Sequence, residues 1–194
     1  MGRLVWGVGV NDADHVVQPT VDGKVLWCPF YQRWKGMLRR CYSRAEHAKH
    51  PNYKECSVVK DWHSFMNFRS WMASQAWKGK HLDKDILFPG NKVYGPDSCV
   101  FVSAEVNTLL NDCSSSRGEL PRGVTHQKNS TNYKVRMSGK GNDYLGSFAT
   151  IEEAILVYQK AKWGRVRSIA DEQTDERIKY GLYLHAGNIL KGYH

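Results

Sequence analysis

Several features that define large classes of proteins are missing from this sequence. No stretch approaches the ~20 consecutive apolar residues of a membrane-spanning helix, and the first residues, MGRLVWGVGVNDAD, lack the continuous apolar core of a signal peptide. Neither a glycine-rich phosphate loop nor a Gly-x-Ser-x-Gly elbow occurs. We therefore expect an intracellular, cytoplasmic protein that does not contact membranes.

Cysteine is present but forms no recognisable motif. The chain has five cysteines and no Cys-x-x-Cys pair. Such scattered cysteines favour free thiols in a reducing compartment. A structural zinc site would have to be assembled from ligands as scattered as Cys41 and Cys56 with His47 and His50, so we expect no zinc.

Positive charge is in excess. The chain carries 28 Lys and Arg against 19 Asp and Glu, which gives a formal net charge of +9. Such a balance favours a polyanionic partner, because each phosphate that Lys or Arg neutralises releases condensed counterions. Double-stranded DNA is the partner that we expect. An acidic protein is an alternative partner, and it predicts no DNA binding even at low salt.

The first half of the chain contains two predicted helices. In PFYQRWKGMLRRCYSRA, which begins at Pro29, five residues recur at helical spacing and predict a buried face. These residues are Tyr31, Trp34, Met37, Leu38 and Cys41. Arg39 and Arg40 fall between them, on a side that we expect to hold backbone phosphates. Asp61 is the predicted N-cap of a second helix that ends at Gly79, and the spacing of Trp34, Trp62 and Trp71 favours core positions over stacking surfaces.

The segment from His81 to Leu110 reads as strand, loop, strand and helix. The predicted strands are 82–87 and 99–102, and the helix is 104–110. Alternation along the first strand would place His81, Asp83 and Asp85 on one face and Lys84 on the other.

A change of composition after residue 110 predicts a domain boundary. The small polar residues of NDCSSSRGELP separate two parts of different pattern. The predicted organisation is an N-terminal arm (1–27), a first domain (28–112), a linker (113–118), a second domain (119–170) and a C-terminal helix or tail (171–194).

The second domain resembles the APETALA or ethylene-response-factor type of DNA-binding domain. The motifs RGV, YKVRM, YLGSF and EEA stand in the order of that family, and Thr150 is the predicted N-cap of the helix. The resemblance implies three antiparallel strands packed on one helix, with the exposed sheet face in the DNA major groove. It implies these DNA contacts: Arg122, Gln127, Lys128, Asn132, Lys134 and Arg136.

The first domain resembles phage-encoded HNH homing endonucleases. The resemblance rests on a pattern that begins at Leu82 with LDKDI and continues with GN, Y, P, C, FV, N and LL. In the first predicted helix this pattern is preceded by a tryptophan and by the fragments GML and RCY. It implies a ββα-metal hairpin in which Asp83 and Asn107 bind Mg²⁺ or Mn²⁺, whereas Asn91 positions the catalytic base. Hard divalent cations take such oxygen ligands, and they polarise a phosphodiester. If the protein is phage-encoded, its compartment is the cytoplasm of the bacterial host.

The general base is the point at which the chain departs from that pattern. Lys84 stands where the family has a histidine, and an ammonium group with an ordinary pKa cannot accept a proton at neutral pH. Either burial lowers the pKa of Lys84, or His81 or Asp85 acts as the base, or the site is inactive. Asp83 with Asp85 is an alternative metal pair.

The sequence thus predicts an α+β protein: a ββα-metal hairpin and helix with preceding helices, then a three-stranded antiparallel sheet on one helix. The expected function is metal-dependent cleavage of DNA phosphodiester bonds, with the second domain supplying affinity and site choice. The alternative is a catalytically inactive DNA-binding regulator on a nuclease-derived scaffold, which Lys84 favours.

Overall fold

A computed structural model describes residues 4–110, 120–128, 130–137 and 143–191 of the chain. The chain is a mixture of helices and small sheets and divides into two compact units, Met1–Ala104 and Glu105–His194. The predicted linker, 113–118, and Cys113 lie outside the described residues. Within the described ranges, every helix is too short or too polar to span a bilayer.

The first unit contains three α-helices and six short strands in its described part. Its helices are α1 (Pro29–Tyr42), α2 (Arg44–Lys49) and α3 (Phe65–Ala73). Its strands are β1 (Thr20–Val21), β2 (Lys24–Val25), β3 (Ser57–Val58), β4 (His81–Asp83), β5 (Val93–Tyr94) and β6 (Val100–Val102). β1 pairs with β2 and β4 with β6 in antiparallel fashion, whereas β3 and β5 are parallel.

The core of the first unit lies between α1 and α3. The five residues predicted for the buried face of α1 are all buried, and they pack with Phe65, Phe68 and Met72 of α3. Trp34 is fully buried, and its Nε1 donates a hydrogen bond to the carbonyl oxygen of Trp62 at 2.7 Å. The prediction that these tryptophans belong to the core is confirmed for both.

The predicted limits of the second helix are wrong. Asp61 belongs to a short 3₁₀ turn, Lys60–His63, and the N-cap of α3 is Ser64. The Ser64 hydroxyl accepts from the Asn67 N–H at 3.1 Å and donates to the Asp12 carboxylate at 2.6 Å. The helix ends at Ala73, well before Gly79. A carboxylate from the N-terminal arm therefore fixes the start of α3, and such a long-range contact leaves no local sequence signal.

The second unit combines a three-stranded sheet with a pair of long helices. Its elements are α4 (Ala104–Leu109), which begins at the boundary between the units, β7 (Val124–His126), β8 (Tyr133–Met137), β9 (Asp143–Phe148), α5 (Ile151–Asp171) and α6 (Glu176–Leu190). The sheet order is β7-β8-β9, antiparallel throughout. Thr150 caps α5 as predicted, since its hydroxyl accepts from the Glu153 N–H.

One face of this sheet packs on α5. Val124 and Val135 are buried together with Ala154 and Tyr158 of the helix. Alternation along β8 then places Lys134 and Arg136 on the opposite face. The expected sheet of three strands on one helix is present, and α6 is a further helix that packs against α5.

Candidate nucleic-acid interface and hairpin site

Asp83 ends strand β4 and turns the chain. Its Oδ1 accepts hydrogen bonds from the backbone N–H groups of Asp85, at 2.7 Å, and Ile86, at 2.8 Å. A side chain that caps two successive amides makes a tight turn, so β4 stops there instead of continuing to residue 87. Burial raises the pKa of the Asp83 carboxyl, and the two amide hydrogen bonds oppose this rise.

The position of Asp85 corrects the alternation argument. Because β4 ends at Asp83, Asp85 is not part of the strand and does not share a strand face with His81. Its carboxylate contacts the ammonium group of Lys84 instead. His81 is exposed at the start of β4, opposite Val102.

Lys84 is buried, and its ammonium group makes two hydrogen bonds. Only 6% of the residue is exposed. Besides the contact with Asp85, its Nζ donates to the carbonyl oxygen of Asn91 at 2.9 Å and lies 5.8 Å from the ring centre of Tyr94. The Lys84 side chain thus stabilises the hairpin loop through a carboxylate and a backbone carbonyl.

Asn91 closes the loop of the hairpin rather than facing a reaction centre. Its Nδ2 donates to the carbonyl oxygens of Lys84 and Val93, both at 2.8 Å, and its Oδ1 accepts from the Val93 N–H at 3.2 Å. These bonds therefore occupy both the NH₂ group and the oxygen of the Asn91 side-chain amide. Asn107 lies half-buried on α4. Among the described residues, no group of three or more His, Cys, Asp or Glu side chains is arranged to hold a metal ion.

The two arginines predicted to hold phosphates have different environments. Arg39 is exposed, and its Nε pairs with Glu46 of α2 at 3.3 Å. Arg40 is half-buried, and its Nε donates to the hydroxyl of Tyr94 at 3.0 Å. The structure therefore separates two neighbours that the sequence treats alike.

The described cysteines are free thiols, and three of them are buried. Burial raises the pKa of Cys41 and of Cys99 to about 12 and also raises the pKa of Cys56. At neutral pH these thiols are protonated, so they behave as small apolar core groups.

The outer face of the β7-β8-β9 sheet carries the densest group of predicted DNA contacts. Lys134 pairs across the strands with Thr125 and Ser147, and Arg136 pairs with Tyr144. The Lys134 ammonium lies 5.6 Å and the Arg136 guanidinium 5.9 Å from the centre of the Tyr144 ring. Tyr144 is 55% exposed, so its ring holds the two cations at the surface.

The remaining predicted contacts surround this face. Gln127 is exposed, and its Oε1 accepts from the Ser147 hydroxyl at 2.7 Å. The Gln127 N–H donates to the carbonyl oxygen of Asn132 at 3.0 Å, which closes the β7–β8 turn. Lys128 is exposed in this turn, and Arg122 is half-buried just before β7.

Tyr144 and Ser147 are the residues of this face that sequence reasoning missed. Both belong to YLGSF, and alternation from the buried positions of β8 across the strand pairs identifies Ser147, opposite Lys134, but not Tyr144. A β-bulge between Val135 and Arg136 shifts the register, so that simple counting along β9 fails.

No protein-family model, no curated protein and no solved structure matches this chain.

Proposed function

We propose that this protein binds double-stranded DNA on the outer face of the β7-β8-β9 sheet. The observation that carries this conclusion is the pair of cations, Lys134 and Arg136, held over the exposed ring of Tyr144. The excess of 28 Lys and Arg over 19 Asp and Glu in the chain supports a polyanionic partner.

The chemistry of this face suits a duplex. Strands of a small sheet enter the major groove, where arginine reads guanine through two donors and lysine holds phosphate or guanine. Gln127 and Ser147, joined by a hydrogen bond, add polar groups that both donate and accept. Since the opposite face is buried on α5, the outer face is the one that remains to meet a ligand.

Fluorescence anisotropy with a short labelled duplex tests this proposal. A variant with Lys134→Ala and Arg136→Ala should bind at least about tenfold more weakly. Its slope of log affinity against log salt should also fall by about 0.9 for each phosphate that the variant no longer neutralises. Lys160→Ala, an exposed charge removed from α5, is the matched control and should bind like the wild type. Equal affinity of all three proteins would contradict the proposal, and no binding at low salt would favour an acidic protein partner.

A second candidate function is metal-dependent cleavage of DNA by the β4–β6 hairpin. The favouring observation is Asp83, whose Oδ1 is fixed by two amides while its Oδ2 has no partner in the described part of the chain. An immobilised carboxylate with one open oxygen suits Mg²⁺ or Mn²⁺. Since the Lys84 side chain is bound to Asp85 and to the Asn91 carbonyl oxygen, His81, exposed on the same strand as Asp83, is the base that we propose.

Nicking of supercoiled plasmid at low salt with Mg²⁺ or Mn²⁺ tests this second candidate. Cleavage by the wild type that is lost in Asp83→Ala, and greatly reduced in His81→Ala, would support it. Asp97→Ala removes an exposed carboxylate from the loop that precedes β6 and should cleave normally. DNA binding without cleavage in either metal would leave the protein as a non-catalytic DNA-binding regulator.

A further inference from the structure

Arg40 is a cation set between two aromatic rings in the first unit. It lies on α1, half-buried, with its guanidinium carbon 5.3 Å from the ring centre of Tyr94 and 5.8 Å from that of Tyr53. Its Nε donates to the Tyr94 hydroxyl at 3.0 Å. These contacts fix the orientation of the planar group without neutralising its charge.

Arg40 has no carboxylate partner among the described residues. Its neighbour Arg39 pairs with Glu46, and the carboxylate of Asp85 contacts Lys84. A guanidinium carries five N–H donors, and the described contacts of Arg40 use one of them. The remaining donors and the positive charge of Arg40 therefore have no counter-ion among the described residues.

The terminal nitrogens of Arg40 are not fully buried. Within the described ranges, the fully buried side-chain nitrogens that have no partner belong to Gln18 and Arg69. The Nη atoms of Arg40 have no described partner, and the residue is half-buried, so these atoms keep some exposure. Their donors are therefore available to a molecule that approaches from outside.

A second cation lies near the same tyrosine. The Lys84 ammonium lies 5.8 Å from the centre of the Tyr94 ring that also contacts Arg40. Burial raises the pKa of the Cys56 thiol, and the positive charges of Lys84, Lys92 and Arg40 oppose this rise. The negative charge of Asp85 has the opposite effect on the Cys56 thiol and raises its pKa, and the Asp85 carboxylate contacts Lys84.

We infer that Arg40 forms an oxyanion site that takes a phosphate group between Tyr53 and Tyr94. The planar fork of donors matches two oxygens of a phosphate, and the aromatic rings hold the fork ready. The phosphate comes either from free inorganic phosphate or from a phosphodiester of nucleic acid. This site lies within the first unit, and it does not depend on DNA binding by the sheet of the second unit.

Chemical modification of the wild-type protein tests the site without any mutation. Phenylglyoxal reacts with accessible guanidinium groups, and peptide mapping by mass spectrometry reports each arginine separately. Arg40 should react in the free protein and should be protected by inorganic phosphate or by a short DNA duplex, whereas Arg39 should not be protected by inorganic phosphate. Protection by duplex alone identifies a phosphodiester as the ligand. An Arg40 that does not react, or that neither ligand protects, would overturn the inference.

Thermal unfolding of two matched variants gives a second readout. Phosphate should raise the melting temperature of the wild type by about 2–4 °C over chloride at equal ionic strength if free phosphate is the ligand. Arg39→Met should keep this increment and Arg40→Met should lose it. If only a phosphodiester binds, the Arg40→Met variant should instead lower the salt slope of duplex binding by about 0.9. An Arg40→Met protein that matches Arg39→Met in both measurements would refute the site.

Discussion

Lys84 and Asn91 hold each other through two reciprocal hydrogen bonds. The Lys84 ammonium donates to the Asn91 carbonyl oxygen at 2.9 Å, and the Asn91 side-chain amide donates to the Lys84 carbonyl oxygen at 2.8 Å. The pair joins the end of β4 to the start of β5. Together with Asp85 and Tyr94 it forms a polar cluster, so these residues stabilise the loop of the hairpin whatever chemistry the protein performs.

Asn91→Ala should therefore destabilise the first unit. The change leaves the carbonyl oxygens of Lys84 and Val93 and the Val93 N–H without their side-chain partners. Unsatisfied groups of this kind cost about 1–3 kcal/mol, and chemical denaturation should show a loss in that range. Asn52→Ala, an exposed asparagine of the same unit, is the control and should lose little. Equal stability of the two variants would show that the cluster does not stabilise the hairpin.

Asp83 should make the stability of the first unit depend on pH. Burial raises the pKa of its carboxyl in the folded protein above the ordinary value of 3.8. A group with a raised folded pKa stabilises the fold fully below its unfolded pKa, and this contribution is lost as the pH rises through the folded value. Asp83→Asn keeps an uncharged oxygen that accepts from the amides, so it should gain stability over the wild type as pH rises above 3.8.

Denaturation at a series of pH values, from below 3.8 to neutral, measures this difference. Asp97→Asn controls for the removal of one exposed carboxylate from the same segment. If the stability difference between Asp83→Asn and the wild type stayed constant over this range, the buried carboxyl would not be the cause.

Local pattern predicted α1 and α5 well and the hairpin poorly. The sequence predicts α1 from apolar residues that recur at helical spacing. It predicts the start of α5 from Thr150, whose hydroxyl caps the N–H of Glu153 three residues later. The length of β4 depends instead on the Asp83 side chain bonding two amides ahead of it. Ser64 became the cap of α3 through a bond to Asp12, 52 residues away in sequence.

The candidate site residues also divide into those that local pattern predicts and those that depend on long-range contacts. The outward positions of Lys134 and Arg136 follow from alternation along one strand, and Tyr133, Val135 and Met137 lie on the core side of β8. By contrast, only the folded chain shows that Arg39 meets Glu46 while Arg40 meets Tyr94. Contacts between distant segments decide which charged side chains remain available to bind a ligand. The composition of the sequence does not reveal these contacts.

Tyr144 should matter for DNA affinity through its ring more than through its hydroxyl. The ring holds Lys134 and Arg136 at 5.6 and 5.9 Å, and exposed contacts of this type contribute about 0.5–1 kcal/mol each. Loss of both contacts in Tyr144→Ala should weaken duplex binding about 5- to 30-fold in anisotropy measurements. Tyr144→Phe keeps the ring and should stay within about twofold of the wild type. A larger loss in the phenylalanine variant would mean that the hydroxyl contacts DNA directly.

Gly123 should tolerate no side chain. It has a φ of +78°, and an added Cβ would lie 2.3 Å from the Tyr158 ring and 2.4 Å from the Arg136 carbonyl oxygen. Its own carbonyl oxygen accepts from the Arg136 N–H at 2.8 Å, so displacement of Gly123 would pull on the strand that carries the DNA contacts. Gly123→Ala should cost more than about 2 kcal/mol because strain and overlap act together.

Gly164→Ala is the matched control for that substitution. Gly164 lies within α5, and a Cβ there meets nothing within 4 Å. Alanine is the better helix former by about 0.5–1 kcal/mol, so this variant should be slightly more stable than the wild type and should bind duplex normally. Denaturation followed by circular dichroism, with anisotropy on the same samples, separates the two variants. If Gly123→Ala were as stable as Gly164→Ala, the approach of Tyr158 to the start of β7 would not constrain the sheet.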